Sequence, residues 1–123
     1  MTTLPRLDPE VFTELYESLC EHPATVASLY DTFLDNAARL IAALRTNESR
    51  AGREKTLHTL KGSAAMMGAS RVAQLAADLQ LTSATLQGEA LRKWIDQIDT
   101  ELGQTRLAID ARLASLGTSR PPR

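Results

Sequence analysis

The residues of this sequence best suited to chemistry are a histidine and a lysine three positions apart, His58 and Lys61, with Gly62 directly after them. A neutral imidazole presents a nitrogen lone pair near neutral pH and can act as a nucleophile. On a helix, the lysine lies one turn from the ring, where its ammonium group can offset the negative charge of a phosphoryl group. The pair therefore predicts a histidine that can act as a nucleophile beside a positive charge.

On a helix this histidine points away from the protein core. The apolar set on one face is Leu57, Leu60, Ala64 and Met67. The second set, about 130° around the axis at about 100° per residue, is His58, Lys61, Gly62 and Ala65. Glycine inside a helix costs about 0.5–1 kcal/mol relative to alanine. Gly62 beside the histidine therefore indicates close approach by another macromolecule, although each of these residues taken alone is ordinary.

The elements that must position these residues are helices. Asp8, placed as a cap before Pro9, predicts a short first helix that ends near Cys20. A strong amphipathic pattern follows His22 and Pro23, with apolar residues at i, i+3, i+4 and i+7. These residues are Val26, Leu29, Tyr30, Phe33, Ala37, Leu40, Ile41 and Leu44. The sequence therefore predicts a long second helix after the short one.

Two further helices are predicted on either side of a Gly-Ala turn. The histidine helix runs from a turn or cap at residues 46–49 through Met67, and Gly68 ends it. Ser70 can cap a fourth helix, and Gly88 is its expected stop. The expected inner face of this fourth helix is formed by Val72, Leu75, Ala76, Leu79 and Leu86.

A fifth helix is predicted from near Glu89 to Gly117, with an apolar stripe along most of its length. Helices with such stripes can bury them only against each other. The sequence therefore predicts an all-α fold, an antiparallel four-helix bundle with a short additional N-terminal helix. We expect one domain over residues 1–117 and a disordered C-terminal tail over residues 118–123.

Composition excludes several other classes of protein. The chain has 123 residues and a net charge of −1, and its scattered basic residues give no electrostatic footprint for nucleic acid. Its single cysteine, Cys20, allows no internal disulfide and no Cys-rich zinc site, which suits a reducing cytoplasm. We expect no signal peptide and no membrane span, because no stretch approaches about 20 consecutive apolar residues. A cytoplasmic chain that binds neither nucleic acid nor membrane is expected.

The segment H-T-L-K-G-S-A from His58 to Ala64, followed by M-G-A, resembles the signature of histidine-containing phosphotransfer domains. The resemblance implies that His58 is the phosphoacceptor, that Lys61 helps hold the phosphoryl group, and that Gly62 and Ala65 belong to the partner-docking surface. It also implies a hydrogen bond from Gln80, on the next helix, to the ring or the phosphoryl group. Glu is frequent at that position, and an amide could orient the ring without adding a negative charge.

The resemblance further implies a relay of a phosphoryl group between His58 and the aspartate of response-regulator receiver domains, including those of hybrid histidine kinases. Such a chain is a carrier without kinase activity of its own. It needs no cofactor and no metal, because Mg²⁺ is expected only on the receiver. We expect it to act as a monomer within a two-component phosphorelay.

Two other functions fit the same helices. One is a non-catalytic interaction module that binds or sequesters a receiver without being phosphorylated. The other is the histidine-bearing domain of a sensor kinase, but that class forms dimeric hairpins and usually continues into an ATP-binding domain. The other histidine, His22, is expected to be a solvated turn residue. The expected roles of Met66 and Met67 are core packing, and Cys20 is expected to be a buried small side chain.

Overall fold

The computed structural model describes residues 4–46, 49–82 and 85–122, and all regular structure in these ranges is helical. The five helices are α1 (Pro9–Ser18), α2 (Pro23–Thr46), α3 (Arg50–Met66), α4 (Ser70–Thr82) and α5 (Gly88–Ser115). The predicted all-α class is confirmed. Each helix contributes buried apolar residues to one core, and each fully buried aliphatic or aromatic side chain contributes about 1.5–3 kcal/mol of transfer free energy.

The four longer helices contact one another in a ring. Helix α2 packs against α3 and α5, and α4 also packs against α3 and α5, while the short α1 packs on α2. Helices α3 and α5 therefore lie across the core from each other. This arrangement decides which surfaces a partner at α3 can reach, because residues on the outer face of α5 are directed to the opposite side of the molecule.

Hydrogen bonds fix the turn at the end of α3. Gly68 has φ +76°, and its N–H donates to the Ala65 carbonyl at 3.2 Å. The buried Tyr30 hydroxyl, whose pKa is raised mainly by desolvation, donates to the Met67 carbonyl at 2.9 Å. On the other side, the Asp8 N–H donates to the Gly68 carbonyl at 2.8 Å. The turn is thereby tied both to α2 and to the start of α1.

Gly68→Ala should destabilise the protein by about 2 kcal/mol, because the positive φ penalises any Cβ by about 1–2 kcal/mol. The added Cβ would also lie 3.0 Å from the Val11 Cβ and 3.3 Å from the Asp8 Cβ. Gly117→Ala is the matched control, since Gly117 has the same φ of +76° and nothing within 4 Å of its Cβ position. Thermal melts should show the larger loss for Gly68→Ala. Equal losses would mean that α1 moves aside freely.

The boundary between α4 and α5 differs from the prediction. Helix α4 ends at Thr82, and Gly88 is the first residue of α5 instead of the stop of α4. The φ of +60° at Gly88 allows the chain to turn into the helix after the extended Gln87, a conformation that favours glycine. Leu86 lies outside α4, where it is half-buried and packs against the core.

Three residues expected to face the core are exposed: Met66, Cys20 and Leu29, the last of which is 36% exposed. Met66 is 73% exposed, whereas its neighbour Met67 is only 5% exposed and fills the core. Successive helical residues point about 100° apart, and Met67 falls on the apolar face with Leu57, Leu60 and Ala64, whereas Met66 does not. Cys20 is exposed as well, because it lies in the turn after α1 with φ 57° instead of on a helix face. The expectations of a buried Met66 and a buried Cys20 are therefore wrong.

The C-terminal segment contacts two helices through Arg120. Its guanidinium lies 3.1 Å from an Asp31 carboxylate oxygen on α2 and 2.7 Å from an Asp110 carboxylate oxygen on α5. The domain bounds, with a body over 1–117 and a disordered tail after it, stay a prediction. Within the described ranges, no helix combines the length and the apolar character that crossing a bilayer requires.

Candidate functional site

Local interactions form the helix that holds the candidate site. The Ser49 side chain caps α3 by accepting the Gly52 N–H at 3.2 Å. One turn further on, the Arg50 guanidinium pairs with the Glu54 carboxylate at 3.3 Å, an i, i+4 pair of the kind that supports an exposed helix. Helix α3 then continues without interruption to Met66. The predicted histidine helix is confirmed, and the predicted cap at Ser49 lies at its start.

The outer face of α3 presents the residues that the sequence singled out. His58, Lys61, Gly62 and Ala65 are all exposed. The inner face presents Leu57, Leu60 and Ala64, which are fully buried. This division follows the helical period, because the two sets differ by about a third of a turn. The imidazole is therefore accessible to a macromolecule, and the helix beneath it is held by the core.

The lysine is placed where it can act on the ring. Lys61 follows His58 by three positions, a spacing at which side chains on a helix are neighbours with Cβ atoms about 5–6 Å apart. In the parts of the chain that the structure describes, Lys61 has no ion-pair partner. Its ammonium group is therefore not neutralised by a neighbouring described carboxylate and can interact with an anionic group on the imidazole.

Nothing in the fold requires glycine at position 62. A Cβ built on Gly62 meets no atom within 4 Å, and the residue lies in the exposed interior of α3. Packing therefore gives no reason for a residue that weakens a helix by about 0.5–1 kcal/mol. The absence of a side chain here instead leaves a shallow space beside His58, which is useful only if another molecule approaches the ring.

Gln80 belongs to the helix next to the histidine. It lies half-buried on α4, which packs against α3. The preceding residue, Leu79, is fully buried, so Gln80 is turned about 100° from the core toward the flank of its helix. A hydrogen bond from Gln80 to the ring or the phosphoryl group stays a prediction.

The candidate site lies on an exposed face of α3. A cavity of about 700 Å³ lies at the N-terminal end of α3, and its lining includes Leu44, Arg53 and Ile95 but not His58. Among the described residues, no three His, Cys, Asp or Glu side chains come together as a group that could hold a metal ion. An exposed imidazole such as that of His58 is a group that can act as a nucleophile toward a partner.

One feature beside the site differs from the sequence-based expectation: the side chain of Met66 is exposed instead of packed in the core. A helical wheel contains the necessary signal, since Met66 lies only about 80° around the axis from His58. Methionine is apolar, which favoured a core position for Met66, but this side chain points outward from α3. A second feature, the hydrogen bond from Tyr30 to the Met67 carbonyl, joins residues of different helices and has no local signal.

Comparison with known proteins identifies one family. The family model described as the Hpt domain matches residues 28–113, a range that runs from α2 to near the end of α5 and includes the outer face of α3. Neither the curated proteins nor the solved structures yielded a significant match.

Proposed function

Since the chain belongs to the Hpt domain family, we propose that it relays a phosphoryl group between His58 and the aspartate of a response-regulator receiver domain. Hpt domains are phosphocarriers of two-component phosphorelays and interact with receiver domains. The observation that supports the assignment to this residue is an exposed histidine with a lysine one turn away and open space at Gly62. The relay would act in the cytoplasm, with this chain as a monomer.

The transfer step needs only a nucleophile and correct positioning. A ring nitrogen of His58 attacks the phosphorus of the receiver's aspartyl phosphate with its lone pair. The N–P bond forms as the P–O bond breaks, and the carboxylate of the aspartate leaves with the electron pair of that bond. Reversal of the same step returns the phosphoryl group to an aspartate. Since the neutral nitrogen attacks directly, no proton has to be removed from it first.

The rest of the proposed machinery is divided between the two proteins. This chain contributes the imidazole, the cation of Lys61 and the cleared surface at Gly62 and Ala65, while Gln80 orients the ring or holds a phosphoryl oxygen. The receiver contributes its aspartate and the Mg²⁺ ion, so this chain needs neither a cofactor nor ATP. The ring of contacts among α2, α3, α4 and α5 supports an antiparallel four-helix bundle as the rigid support for these groups.

A phosphorylated receiver tests the proposal directly. After incubation with a receiver that carries ³²P on its aspartate, the label should move to this chain. The label should be lost in acid and retained in alkali, as expected for phosphohistidine and not for a phosphoserine. With ATP and Mg²⁺ but no kinase, no label should appear. A receiver that binds the chain tightly yet never labels it would instead favour the non-catalytic module that sequesters receivers.

Lys61→Ala should slow transfer about tenfold without abolishing it, since the lysine stabilises charge at an exposed site but forms no covalent bond. The melting temperature should hardly change, because the side chain is exposed. Time courses of transfer from a phosphorylated receiver measure the effect. Lys93→Ala, which removes an exposed lysine from α5, is the control and should transfer at the original rate. Identical rates for both variants would reduce Lys61 to a solvated charge.

A further inference from the structure

The surface near His58 contains an apolar side chain that the core does not use. Met66 is 73% exposed, although it lies in the last turn of α3, next to a methionine that is buried. An exposed large apolar residue is common on protein surfaces when it stands alone. Whether the exposure of Met66 indicates a function therefore depends on where Met66 lies relative to the candidate site.

Met66 lies on the same ridge of the helix as the site residues. Gly62 follows His58 by four positions, and Met66 follows Gly62 by four, so the three residues form one i, i+4, i+8 row along α3. The distance along the axis from His58 to Met66 is about 12 Å at about 1.5 Å per residue. The glycine between them adds no side chain to the row, so a partner can contact both ends of it.

A second exposed apolar residue lies near the same end of α3. Leu29, which the sequence pattern places on the inner stripe of α2, is 36% exposed. Its neighbour Tyr30 donates a hydrogen bond to the carbonyl of Met67, the residue after Met66. Asp31, which follows Tyr30, pairs with Arg120, and Arg120 also binds Asp110 of α5. Leu29 is thus on the flank of α2 away from α5.

We propose that Met66 is an apolar anchor of the surface on which the receiver docks. This inference rests on the proposed function, which requires the receiver's aspartate to reach His58. A stable protein interface covers about 800 Å² on each partner, which corresponds to a disc of about 16 Å radius. Met66, about 12 Å along the helix axis and about 80° around it from His58, lies near the rim of the area that a receiver centred on His58 covers. The thioether side chain is flexible and adapts to an apolar partner surface, so its burial favours the complex and leaves the nucleophile unchanged.

The test compares two exposed apolar residues on opposite sides of the molecule. Leu107 is 63% exposed on α5, the helix across the core from α3. Transfer is measured at increasing concentrations of phosphorylated receiver for the wild type, Met66→Ser and Leu107→Ser. Met66→Ser should raise KM about tenfold through the lost apolar burial, with the maximal rate within about twofold of wild type. Leu107→Ser should leave both constants unchanged, and Met66→Leu should restore the wild-type KM.

The controls are modification by phosphoramidate, the oligomeric state of the wild type and the labelling of the wild type. Phosphoramidate, a small donor that needs no docking, should modify His58 at equal rates in the wild type and Met66→Ser. Slower modification of the variant, or equal KM values for Met66→Ser and Leu107→Ser, would overturn the inference. So would a wild-type dimer that Met66→Ser dissociates with no change in KM, since the occupant would then be a second copy. Failure of the wild type itself to accept label would refute the proposed function instead.

Discussion

Replacing His58 with glutamine should abolish labelling of the chain by a phosphorylated receiver, with a loss of at least about a thousandfold. The carboxamide of glutamine has no nitrogen lone pair of comparable nucleophilicity, so no N–P bond can form. Because His58 is exposed and its neighbours Leu57 and Leu60 supply the burial, the free energy of unfolding should stay within about 0.5 kcal/mol of wild type. Autoradiography after transfer and a thermal melt measure the two effects.

The matched control for this variant is His22→Gln. His22 is also exposed, and it lies in the turn before α2 and not on α3. It has no lysine one turn further along a helix, so its replacement should leave labelling at the wild-type level. Label that persists in His58→Gln and disappears in His22→Gln would show that His22, and not His58, is the phosphoacceptor. Label that persists in both would place it on another type of residue.

Gly62→Gln should block transfer from a receiver while the protein stays folded or becomes more stable. Helix propensity favours glutamine over glycine by about 0.5 kcal/mol in an exposed helix interior, and a Cβ at this position meets nothing within 4 Å. The longer side chain would nevertheless project beside His58 and hold the receiver's aspartate away from an in-line geometry. A displacement of about 1 Å can cost on the order of a hundredfold in rate.

Gly103→Gln separates the effect on helix stability from the effect on docking. Gly103 also lies inside a helix with nothing within 4 Å of its Cβ position, but it belongs to α5, across the core from α3. Both variants should hold or raise the melting temperature, and only Gly62→Gln should lose transfer. If Gly62→Gln also keeps the wild-type rate, the receiver approaches His58 from another direction.

Phosphoramidate distinguishes blocked docking from a damaged nucleophile. This small donor needs little room, so Gly62→Gln should still be modified at His58 at a rate close to that of the wild type. A variant that resists both the receiver and phosphoramidate would mean that the glutamine covers the imidazole itself. An unfolded variant would mean that the glycine is needed for the fold, contrary to the open space around it.

Several local features of this protein were predictable from the sequence, although the predicted cap at Ser70 is wrong, because Ser70 is the first residue of α4 and its hydroxyl donates to the Gly68 carbonyl. The capping oxygens of Asp8 and Ser49 accept N–H groups at the starts of α1 and α3, and Gly68 and Gly117 take the positive φ that ends α3 and α5. Each depends on residues only a few positions apart. The outward direction of His58, Lys61 and Gly62 is predictable for the same reason, since the apolar stripe of a helix fixes the direction of every other residue on it.

The exact course of the chain between α4 and α5 was not predictable in this way. A glycine serves equally well after a helix and at the start of one, because positive φ is accessible to it in both places. Gly88 begins α5, and α4 ends six residues earlier at Thr82. The choice depends on where Leu86 can reach the core, and that position is defined by the other helices.

The tertiary structure alone decided which polar and apolar groups meet across helices. The packing of α3 against α2 and α4 buries the helix face that includes Met67 and leaves Met66 exposed. The hydrogen bond from Tyr30 to the Met67 carbonyl joins residues 37 positions apart, and the ion pairs of Arg120 join three separate segments. The open space at Gly62 is likewise a property of all surrounding elements, because a helix specifies the direction of a side chain but not what lies beyond it.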